Sequence, residues 1–300
     1  MGLDGKEPFS QQDKKMDLMI VDSNNLAYRA YFTTGVLSNG IVFGFLKQIL
    51  YLAKTLKSNK FIFCWDSKSS YRREVDPEYK GNRKPLDPND QTAIDLQEAR
   101  KQFALLRKEV LPSLGFKNNF VQRGYEADDL IAHVVNRFPD NYIIVSGDED
   151  LYQLLLKTKL YETKIYQPIK KKFITYGSFA QEYGITADRW AEVKALAGCA
   201  SDNVKGVIGV GEKTAIKYLN NNLKGKALES INNSKEIISQ SRYLVTLPFP
   251  GDRPIYIKGI EYEELMIGDF MDTFTRFGMK SFTYDDSFEE WEEAFKLLAF

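Results

Sequence analysis

Three short apolar segments of the sequence each end in an aspartate: MDLMIVD at residues 16–22, NKFIFCWD at 59–66 and NYIIVSGD at 141–148. Segments with the apolar spacing of amphipathic helices lie between them. This alternation predicts an α/β fold in which a mostly parallel central sheet carries helices on both faces. Because the carboxyl ends of parallel strands meet at one edge of a sheet, Asp22, Asp66 and Asp148 are expected to lie close together.

Further carboxylates are expected near the same edge, since they open a helix, follow a strand end or precede a glycine-rich turn. These residues are Glu126, Asp128, Asp129, Asp150 and Asp202. Each one alone is also explained as a helix cap or first-turn residue. Together, carboxylates within about 4–6 Å raise one another's pKa unless a cation intervenes. A set made only of carboxylates favours Mg²⁺ or Mn²⁺ over zinc, and two such ions about 3.5–4 Å apart suit phosphoryl chemistry.

Charge is distributed unevenly along the chain. The formal net charge is zero, from 41 basic and 41 acidic residues. Residues 261–300 contain eleven acidic and three basic residues, which leaves 38 basic and 30 acidic residues in the rest of the chain. Many of those 30 acids belong to the predicted cluster, so the remaining surface should be basic, as expected of a protein that binds a polyanion.

Several other classes of protein are disfavoured. The apolar runs have the length of strands, well below the roughly 20 residues that span a bilayer, and residues 1–15 lack an apolar signal core. Two cysteines, Cys64 and Cys199, do not suggest a disulfide framework. We therefore expect a cytoplasmic protein with no membrane partner. The single histidine, His133, cannot anchor a metal triad, and neither a nucleophile elbow nor a Walker A loop occurs.

A basic stretch between residues 67 and 90 is suited to binding phosphate groups, because arginine and lysine both pair with phosphodiesters. The candidate contacts are Arg72, Arg73, Tyr79, Lys80 and Arg83. On charge alone, a solvated basic loop explains this stretch equally well.

The segment GVIGVGEKTA at residues 206–215 predicts a glycine-rich turn between two helices. Its backbone N–H groups are suited to a DNA phosphate because no side chains crowd them. The candidate contacts are Gly206, Gly209, Gly211, Lys213 and Thr214. A tight turn without any ligand is the alternative interpretation.

Five sequence blocks in a fixed order resemble the 5′-nuclease superfamily: IVDSNNLAYR (20–29), CWD with VDPEYKGNRKP (64–66 and 75–85), GYEADDLIA (124–132), SGDEDLYQLL (146–155) and GCASDNVKGVIGVGEKTA (198–215). The superfamily includes the 5′-nuclease domain of bacterial DNA polymerase I, phage 5′-exonucleases and cellular flap endonucleases. The resemblance covers roughly residues 16–220, and the stand-alone layout is most similar to the phage enzymes.

The resemblance implies a two-metal phosphodiester hydrolase that acts in replication or repair, as flap endonuclease and 5′-3′ exonuclease. Its substrate would be branched or nicked DNA with a free 5′ end, cut near the junction of single and double strands, and also RNA primers in RNA–DNA hybrids. A monomer is expected. The implied cofactors are two Mg²⁺ ions, for which Mn²⁺ could substitute, and K⁺ at the glycine-rich turn.

The resemblance also assigns roles to residues. The first metal ion would be bound by Asp22, Asp66, Glu126 and Asp128, with Asp129 close by. The second would be bound by Asp148, Asp150 and Asp202, of which Asp148 is expected to be essential for catalysis. Lys80 and Arg83 would contact the scissile phosphate. Tyr28, beside Arg29, would stack on the terminal base pair.

Three regions are expected from the same resemblance. Residues 1–15 would be a mobile N-terminus, and residues 16–185 an α/β nuclease domain with a helical arch near 84–112. Residues 186–300 would form a helical DNA-binding lobe that contains a helix–three-turn–helix motif and the acidic C-terminal segment.

One position departs from the family pattern. Where the family has Gly-Asp before the glycine-rich turn, this chain has Gly198-Cys199, so a thiol replaces a carboxylate of the second metal site. A neutral thiol is a poor Mg²⁺ ligand, so weaker binding of the second ion is expected, with better tolerance of Mn²⁺. The alternative function is therefore a catalytically impaired protein that binds DNA junctions as a replication accessory. A ribonuclease for single strands is disfavoured by the glycine-rich turn.

Overall fold

The computed structural model describes residues 17–83, 87–262 and 264–299. The predicted mobile segment at residues 1–15 lies outside the described residues. Seven strands form one sheet: β1 (Leu18–Asp22), β2 (Phe61–Trp65), β3 (Asn119–Val121), β4 (Tyr142–Val145), β5 (Leu156–Lys157), β6 (Glu162–Gln167) and β7 (Lys172–Ile174).

The strand order is β3-β2-β1-β4-β6-β5, and β7 also pairs with β6. The pairs from β3 to β6 are all parallel, whereas β5 and β7 run antiparallel to β6. Val21 of β1 lies opposite Phe63 of β2 and Val145 of β4, so the three strands end at the same level. The prediction of an α/β fold with a mostly parallel central sheet is confirmed.

The helices fill the connections between the strands and the rest of the chain: α1 (Ser23–Thr34), α2 (Gly40–Leu56), α3 (Ser70–Val75), α4 (Gln91–Leu105), α5 (Leu111–Ser113), α6 (Ala127–Arg137), α7 (Tyr176–Tyr183), α8 (Trp190–Ala197), α9 (Glu212–Leu219), α10 (Lys226–Asn233), α11 (Lys235–Val245), α12 (Ile267–Arg276) and α13 (Asp285–Phe295). A π-helical turn, Leu106–Val110, joins α4 to α5. Among the described helices, none alone is long and apolar enough to cross a membrane. The pair Ser23–Thr34 and Leu37–Leu56 passes that test only jointly and is bent by 109°.

Side chains of the central strands β1, β2 and β4 alternate between two hydrophobic cores on opposite faces of the sheet. Ile20, Ile62 and Ile144 face a core built with α6, α8, α9 and α11. Val21 and Phe63 face a second core built with α1, α2, α4, α12 and α13. Helices therefore cover both faces, as predicted, and the site-bearing edge is supported from two sides.

The acidic C-terminal segment packs against the second face. Phe295 of α13 stacks on Phe61 of β2 with ring centroids 5.7 Å apart, and its carbonyl accepts a hydrogen bond of 2.8 Å from the Asn59 side chain. Trp291 is fully buried in the same core. The prediction that residues 186–300 form one helical lobe is therefore wrong for this segment, because its apolar stripe covers the sheet instead.

The second half of the predicted arch near residues 84–112 packs against the α/β domain. Phe103 of α4 is buried, and the Gln102 side chain accepts a hydrogen bond of 3.0 Å from the backbone N–H of Ile41. The first half of α4 is more exposed, and residues 84–86 lie outside the described residues.

Candidate metal centre and nucleic-acid interface

Asp22 joins the end of β1 to two neighbouring elements. Its carboxylate caps α1 by accepting the N–H of Asn25 at 3.1 Å, and it accepts the hydroxyl of Ser146 at 2.8 Å. Ser146 also accepts the N–H of Asp148 at 3.0 Å, so one buried hydroxyl connects two strand ends. Burial, and then the negative charge of Asp66, raise the pKa of Asp22 to about 7.

Asp66 lies at the neighbouring strand end and faces the start of α6. Its carboxylate accepts the N–H of Ala127 at 2.9 Å, and its own N–H donates to the Asn24 side chain at 2.9 Å. On the first turn of α6, Asp128 has a strongly raised pKa because of desolvation and the nearby charges of Glu126 and Asp148. The three strand ends and the start of α6 thus bring their acids together, as the sequence predicted.

Glu126 is already engaged by three residues of the basic stretch, one of which is Arg72 at 3.4 Å. The Tyr79 hydroxyl lies 2.8 Å from one carboxylate oxygen, and the Lys80 ammonium donates to the other. Lys80 also lies 3.6 Å from the carboxylate of Asp202. The backbone of Lys80 has a positive φ of 56°, an uncommon conformation for a residue with a side chain. The N–H of Lys80 donates to the Asp202 carbonyl at 2.8 Å.

The basic stretch is docked onto the loop that carries Asp202. Arg83 lies 3.1 Å from the Asp202 carboxylate, and most of its side chain is exposed. The Asn82 side chain donates to the Ala200 carbonyl at 2.8 Å, and the Asn203 side chain donates to the Glu78 carbonyl at 2.8 Å. Lys80 is therefore fixed at the carboxylate cluster, whereas Arg83 touches Asp202 and keeps most of its side chain in solvent.

A second group of acids has the spacing of a metal site. The possible ligand atoms of Asp150, Cys199 and Asp202 all lie within 4.8 Å of one another, and within the described ranges no other three such residues do so. Asp148 is adjacent, since its carboxylate accepts the N–H of Asp150 at 2.8 Å. The Asp148 side chain reaches solvent. The surrounding protein still excludes enough water to raise its pKa to about 6, with a contribution from Asp150.

Sequence reasoning missed Lys194, which contacts this second group. Its ammonium lies 3.2 Å from Asp150 and 3.0 Å from Glu212 at the start of α9. Lys194 is almost fully buried on α8. The available signal in the sequence was a lysine within a mostly apolar helical stretch, WAEVKALA at residues 190–197.

Two residues assigned to metal or DNA bind each other instead. Arg72 makes two hydrogen bonds of 2.6 and 2.8 Å to Asp129, and both side chains are excluded from solvent. Asp129 also accepts the N–H groups of Glu126 and Phe249, at 3.0 and 2.8 Å. Asp129, expected close by the first metal ion, therefore has its carboxylate occupied by protein groups, and the prediction that Arg72 contacts DNA is wrong because its guanidinium is buried on Asp129. Tyr79, also predicted to contact DNA, is buried and supports Glu126.

The remaining candidate DNA contacts lie in different surroundings. Tyr28 is half-buried and packs edge-to-face on Phe103 with centroids 4.9 Å apart, and Arg29 next to it is also half-buried. Arg73 is exposed, and its Nε donates to the Tyr79 carbonyl at 3.2 Å. A cavity of about 500 Å³ beside the cluster is lined by residues that include Asp66, Ser67, Lys68, Arg73, Lys80 and Arg83.

The glycine-rich turn connects α8 to α9. A Cβ at Gly206 would lie 2.3 Å from the carbonyl of Ala197, so close packing requires glycine there. Gly209 has a φ of +80° and Gly211 precedes α9, and an added Cβ would meet nothing within 4 Å at either position. Lys213 is exposed on the first turn of α9 and Thr214 is half-buried. Open backbone at two glycines beside an exposed lysine is compatible with a phosphate contact.

The comparison with known families decides the chain's identity. A family model described as the 5′-3′ exonuclease, N-terminal resolvase-like domain, matches residues 17–184. The chain belongs to the 5′-3′ exonuclease family. A 5′-3′ exonuclease of Bacillus subtilis is 35% identical over 218 residues, which cover 67% of this chain and 69% of that protein. DNA polymerase I of Caldicellulosiruptor bescii is 30% identical over 268 residues, which cover 81% of this chain and 30% of the polymerase.

Solved structures share the fold of this 5′-3′ exonuclease family member. The phage T5 D15 protein co-crystallised with metal ions is 25% identical, with a TM-score of 0.66 over 77% of this chain and 90% of that chain. Flap endonuclease-1 from Methanococcus jannaschii is 16% identical, with a TM-score of 0.58 over 94% and 92% of the two chains. The arrangement of sheet and helices described above is thus the 5′-nuclease fold.

The acids at the strand ends supply the type of donor atom that divalent cations prefer, although among the described residues no three of them bring their oxygens within 4.8 Å of one another. Asp22, Asp66, Glu126 and Asp128 supply only oxygen ligands, which hard ions such as Mg²⁺ and Mn²⁺ prefer. Burial, and after it the neighbouring carboxylates, raise the pKa of Asp22 and of Asp148, because both disfavour the charged form. A cation would remove that cost. The second group differs because Cys199 adds a sulfur atom.

Proposed function

We propose that this chain is a metal-dependent, structure-specific 5′-nuclease that acts as flap endonuclease and 5′-3′ exonuclease. It would hydrolyse phosphodiesters near the junction of single and double strands, in branched or nicked DNA with a free 5′ end, during replication or repair. The observation that carries the proposal is the position of Lys80, which contacts both Glu126 and Asp202, next to Arg83, which contacts Asp202. Because the chain spans less than a third of the DNA polymerase I relatives, the proposal concerns the nuclease activity alone.

Metal dependence is supported by the acidic clusters and by the T5 D15 protein, which was co-crystallised with metal ions. The first ion would be held by Asp22, Asp66, Glu126 and Asp128, and the second by Asp148, Asp150 and Asp202. We propose Mg²⁺ as the working ion at the first site. When bound, the ions would supply neutralisation of phosphate charge and activation of water.

The chain's own cations would bind the reacting phosphate. Lys80 provides a compact charge and Arg83 a forked donor, and both lie at the cluster. Negative charge that develops on the phosphate oxygens would be stabilised by these two groups. The contacts with Glu126 and Asp202 hold both side chains in place before the substrate arrives.

Binding of the DNA duplex would involve the remaining basic and open surfaces. The glycine-rich turn with Lys213 would contact the backbone, and Tyr28 with Arg29 would lie at the terminal base pair. A K⁺ ion at the turn, cleavage of RNA primers in RNA–DNA hybrids, a monomeric state and a cytoplasmic location stay predictions. Solved relatives in complex with DNA are consistent with this interface.

The proposal is tested with a 5′-end-labelled DNA carrying a single 5′ flap. We expect a discrete product near the junction with Mg²⁺ or Mn²⁺ and none with chelator. Asp148→Ala should lose several orders of magnitude in cleavage rate while it retains DNA affinity. Glu289→Ala, which changes an exposed acid of α13 on the far face, is the matched control. Near-normal turnover by Asp148→Ala would reject the assignment.

A second candidate function rests on Cys199. If the thiol disables the second metal site, the protein would bind DNA junctions as a catalytically impaired replication accessory. In that case the flap DNA would bind with the same structure preference, and neither Mg²⁺ nor Mn²⁺ would support cleavage. Restored cleavage by Cys199→Asp would then identify the thiol as the cause.

A further inference from the structure

The sulfur atom of Cys199 belongs to the group of possible metal ligands at the second site. It lies with the carboxylates of Asp150 and Asp202 inside a 4.8 Å limit, and it is 3.9 Å from the nearer oxygen of Asp150. The Ser201 hydroxyl lies 3.1 Å from the same sulfur. The cysteine therefore points into the cluster, where the family pattern has a carboxylate.

The backbone holds this cysteine in place. The N–H of Cys199 donates to the carbonyl of Val204 at 3.0 Å, and the N–H of Val204 donates back at 2.9 Å. The N–H of Asp202 donates to the Cys199 carbonyl at 3.3 Å. Since this small loop carries two of the three ligands, their relative positions are set before any ion arrives.

Lys80 and Arg83 pair with Asp202, and Lys194 is the cation that competes for Asp150; of these, Lys194 can move aside. Lys194 contacts Asp150 at 3.2 Å, but it also contacts Glu212 at 3.0 Å. The ammonium keeps one ionic partner when Asp150 turns to a metal ion. A divalent ion would therefore not leave a buried, unpaired charge behind.

We propose that the second metal site of this chain is a mixed carboxylate–thiolate site that binds a thiophilic divalent cation of the Zn²⁺ or Co²⁺ type in preference to Mg²⁺. The inference rests on the proposed two-metal function and specifies one of its ions. On binding, the Cys199 S–H bond breaks, the sulfur keeps the electron pair and bonds to the ion, and the proton passes to solvent.

Ligand chemistry supports this selectivity. Thiolates bind Zn²⁺ and related ions strongly, whereas Mg²⁺ demands oxygen ligands and near-octahedral geometry. Asp150, Asp202 and the Cys199 thiolate give three protein ligands at close spacing, as in catalytic zinc sites, and the adjacent Asp148 is left to orient Asp150 or to approach the ion through water. The first site has only oxygen ligands, so the two sites would prefer different ions.

Co²⁺ titration of the folded protein tests the inference without measuring activity. Wild type should develop a near-ultraviolet thiolate-to-Co²⁺ charge-transfer band. The band should saturate with one equivalent and disappear when Zn²⁺ is added, but persist with a hundredfold excess of Mg²⁺. Cys199→Ser and Cys199→Asp should lack the band. Cys64→Ala should keep it, because Cys64 is fully buried in β2. Calorimetry should show at least tenfold tighter Mg²⁺ binding by Cys199→Asp.

Three results would overturn the inference: no band in folded wild type, a band that survives Cys199→Ser, or displacement of Co²⁺ by equimolar Mg²⁺. Circular dichroism confirms that each variant is folded. Flap cleavage by the same preparations separates the two proposals. Cleavage with Mg²⁺ by a wild type that shows no band rejects the mixed site and keeps the nuclease. A Cys199-dependent band without cleavage under any metal keeps the site and rejects the nuclease.

Discussion

Arg72 and Asp129 form a doubly hydrogen-bonded ion pair, with distances of 2.6 and 2.8 Å, inside the wall of the carboxylate cleft. Arg72 also donates from Nε to the Leu244 carbonyl at 2.9 Å, and Asp129 accepts the N–H of Phe249 at 2.8 Å. The pair therefore connects the start of α6, which carries Glu126, to the end of α11. Because Asp129 also accepts the N–H of Glu126, the pair positions this candidate metal ligand.

Removal of one partner should destabilise the fold strongly. Arg72→Met leaves the Asp129 carboxylate buried without its counter-charge, and the expected loss is about 3–5 kcal/mol in the free energy of unfolding. Urea denaturation measures it. The double variant Arg72→Met/Asp129→Leu should be more stable than Arg72→Met alone. Arg276→Met, which breaks an exposed pair with Glu109, should cost less than about 1 kcal/mol.

Asp22 should make the stability of the metal-free protein depend on pH. Its pKa is about 7 in the fold and 3.8 ordinarily, so between these values the folded chain holds a proton that the unfolded chain has lost. The stability conferred by this proton is fully present below about pH 4 and is lost as the pH rises through 7. Asp22→Asn, which still caps α1, should therefore be more stable than wild type at pH 8, by on the order of 1–3 kcal/mol.

The measurement is chemical denaturation in the presence of chelator between pH 4 and pH 8. The advantage of Asp22→Asn should be nearly gone by about pH 4, because Asp22 is then protonated in the folded state and about half protonated in the unfolded state. Glu289→Gln, on the exposed face of α13, should show no such trend. An advantage that is the same at every pH would mean that titration of Asp22 is not its cause.

Lys80 should act on turnover more than on DNA binding. Lys80→Ala removes a charge aimed at the phosphate, and kcat is expected to fall by about 10²–10³ with little change in the dissociation constant for flap DNA. Single-turnover cleavage and a binding titration separate the two effects. Lys57→Ala, at the exposed end of α2, is the matched control. A large loss of affinity with unchanged kcat would place Lys80 in the duplex interface.

Lys213 should contribute to DNA binding through charge alone. Lys213→Ala is expected to weaken binding uniformly across sequences and to reduce the slope of log affinity against log salt by about one. Titrations at several salt concentrations measure this slope. An unchanged slope in Lys213→Ala would remove the first turn of α9 from the interface.

Much of the cleft could be predicted because strands and carboxylates obey local rules. An apolar strand that ends in aspartate and a parallel sheet together place Asp22, Asp66 and Asp148 at one edge. The role of Arg72 could not be predicted this way, since its partner Asp129 lies 57 residues away. A buried arginine and a solvent-exposed one in a basic stretch have the same sequence pattern. Arg72 is buried because the end of α11 packs against it, and the sequence does not show that contact.

The packing position of the C-terminal helices could not be predicted from the sequence either. The spacing of Trp291 and Phe295 predicts that one side of the helix is apolar, but such a stripe packs on any apolar surface. The apolar stripe of α13 packs on the sheet face that carries Phe61 and Phe63, more than two hundred residues earlier in the chain. Amphipathic periodicity identifies which side is buried and leaves the partner undetermined.

The contact between Asn59 and Phe295 also has a consequence for how the protein is made. The two residues are 236 positions apart, and at about 5–20 residues per second a ribosome needs on the order of 10–50 s to travel from one to the other. During that interval the aromatic face of β2 has left the ribosome without the helix that covers it. The growing chain must remain soluble with this face open, and emergence of α13 is the event that closes it.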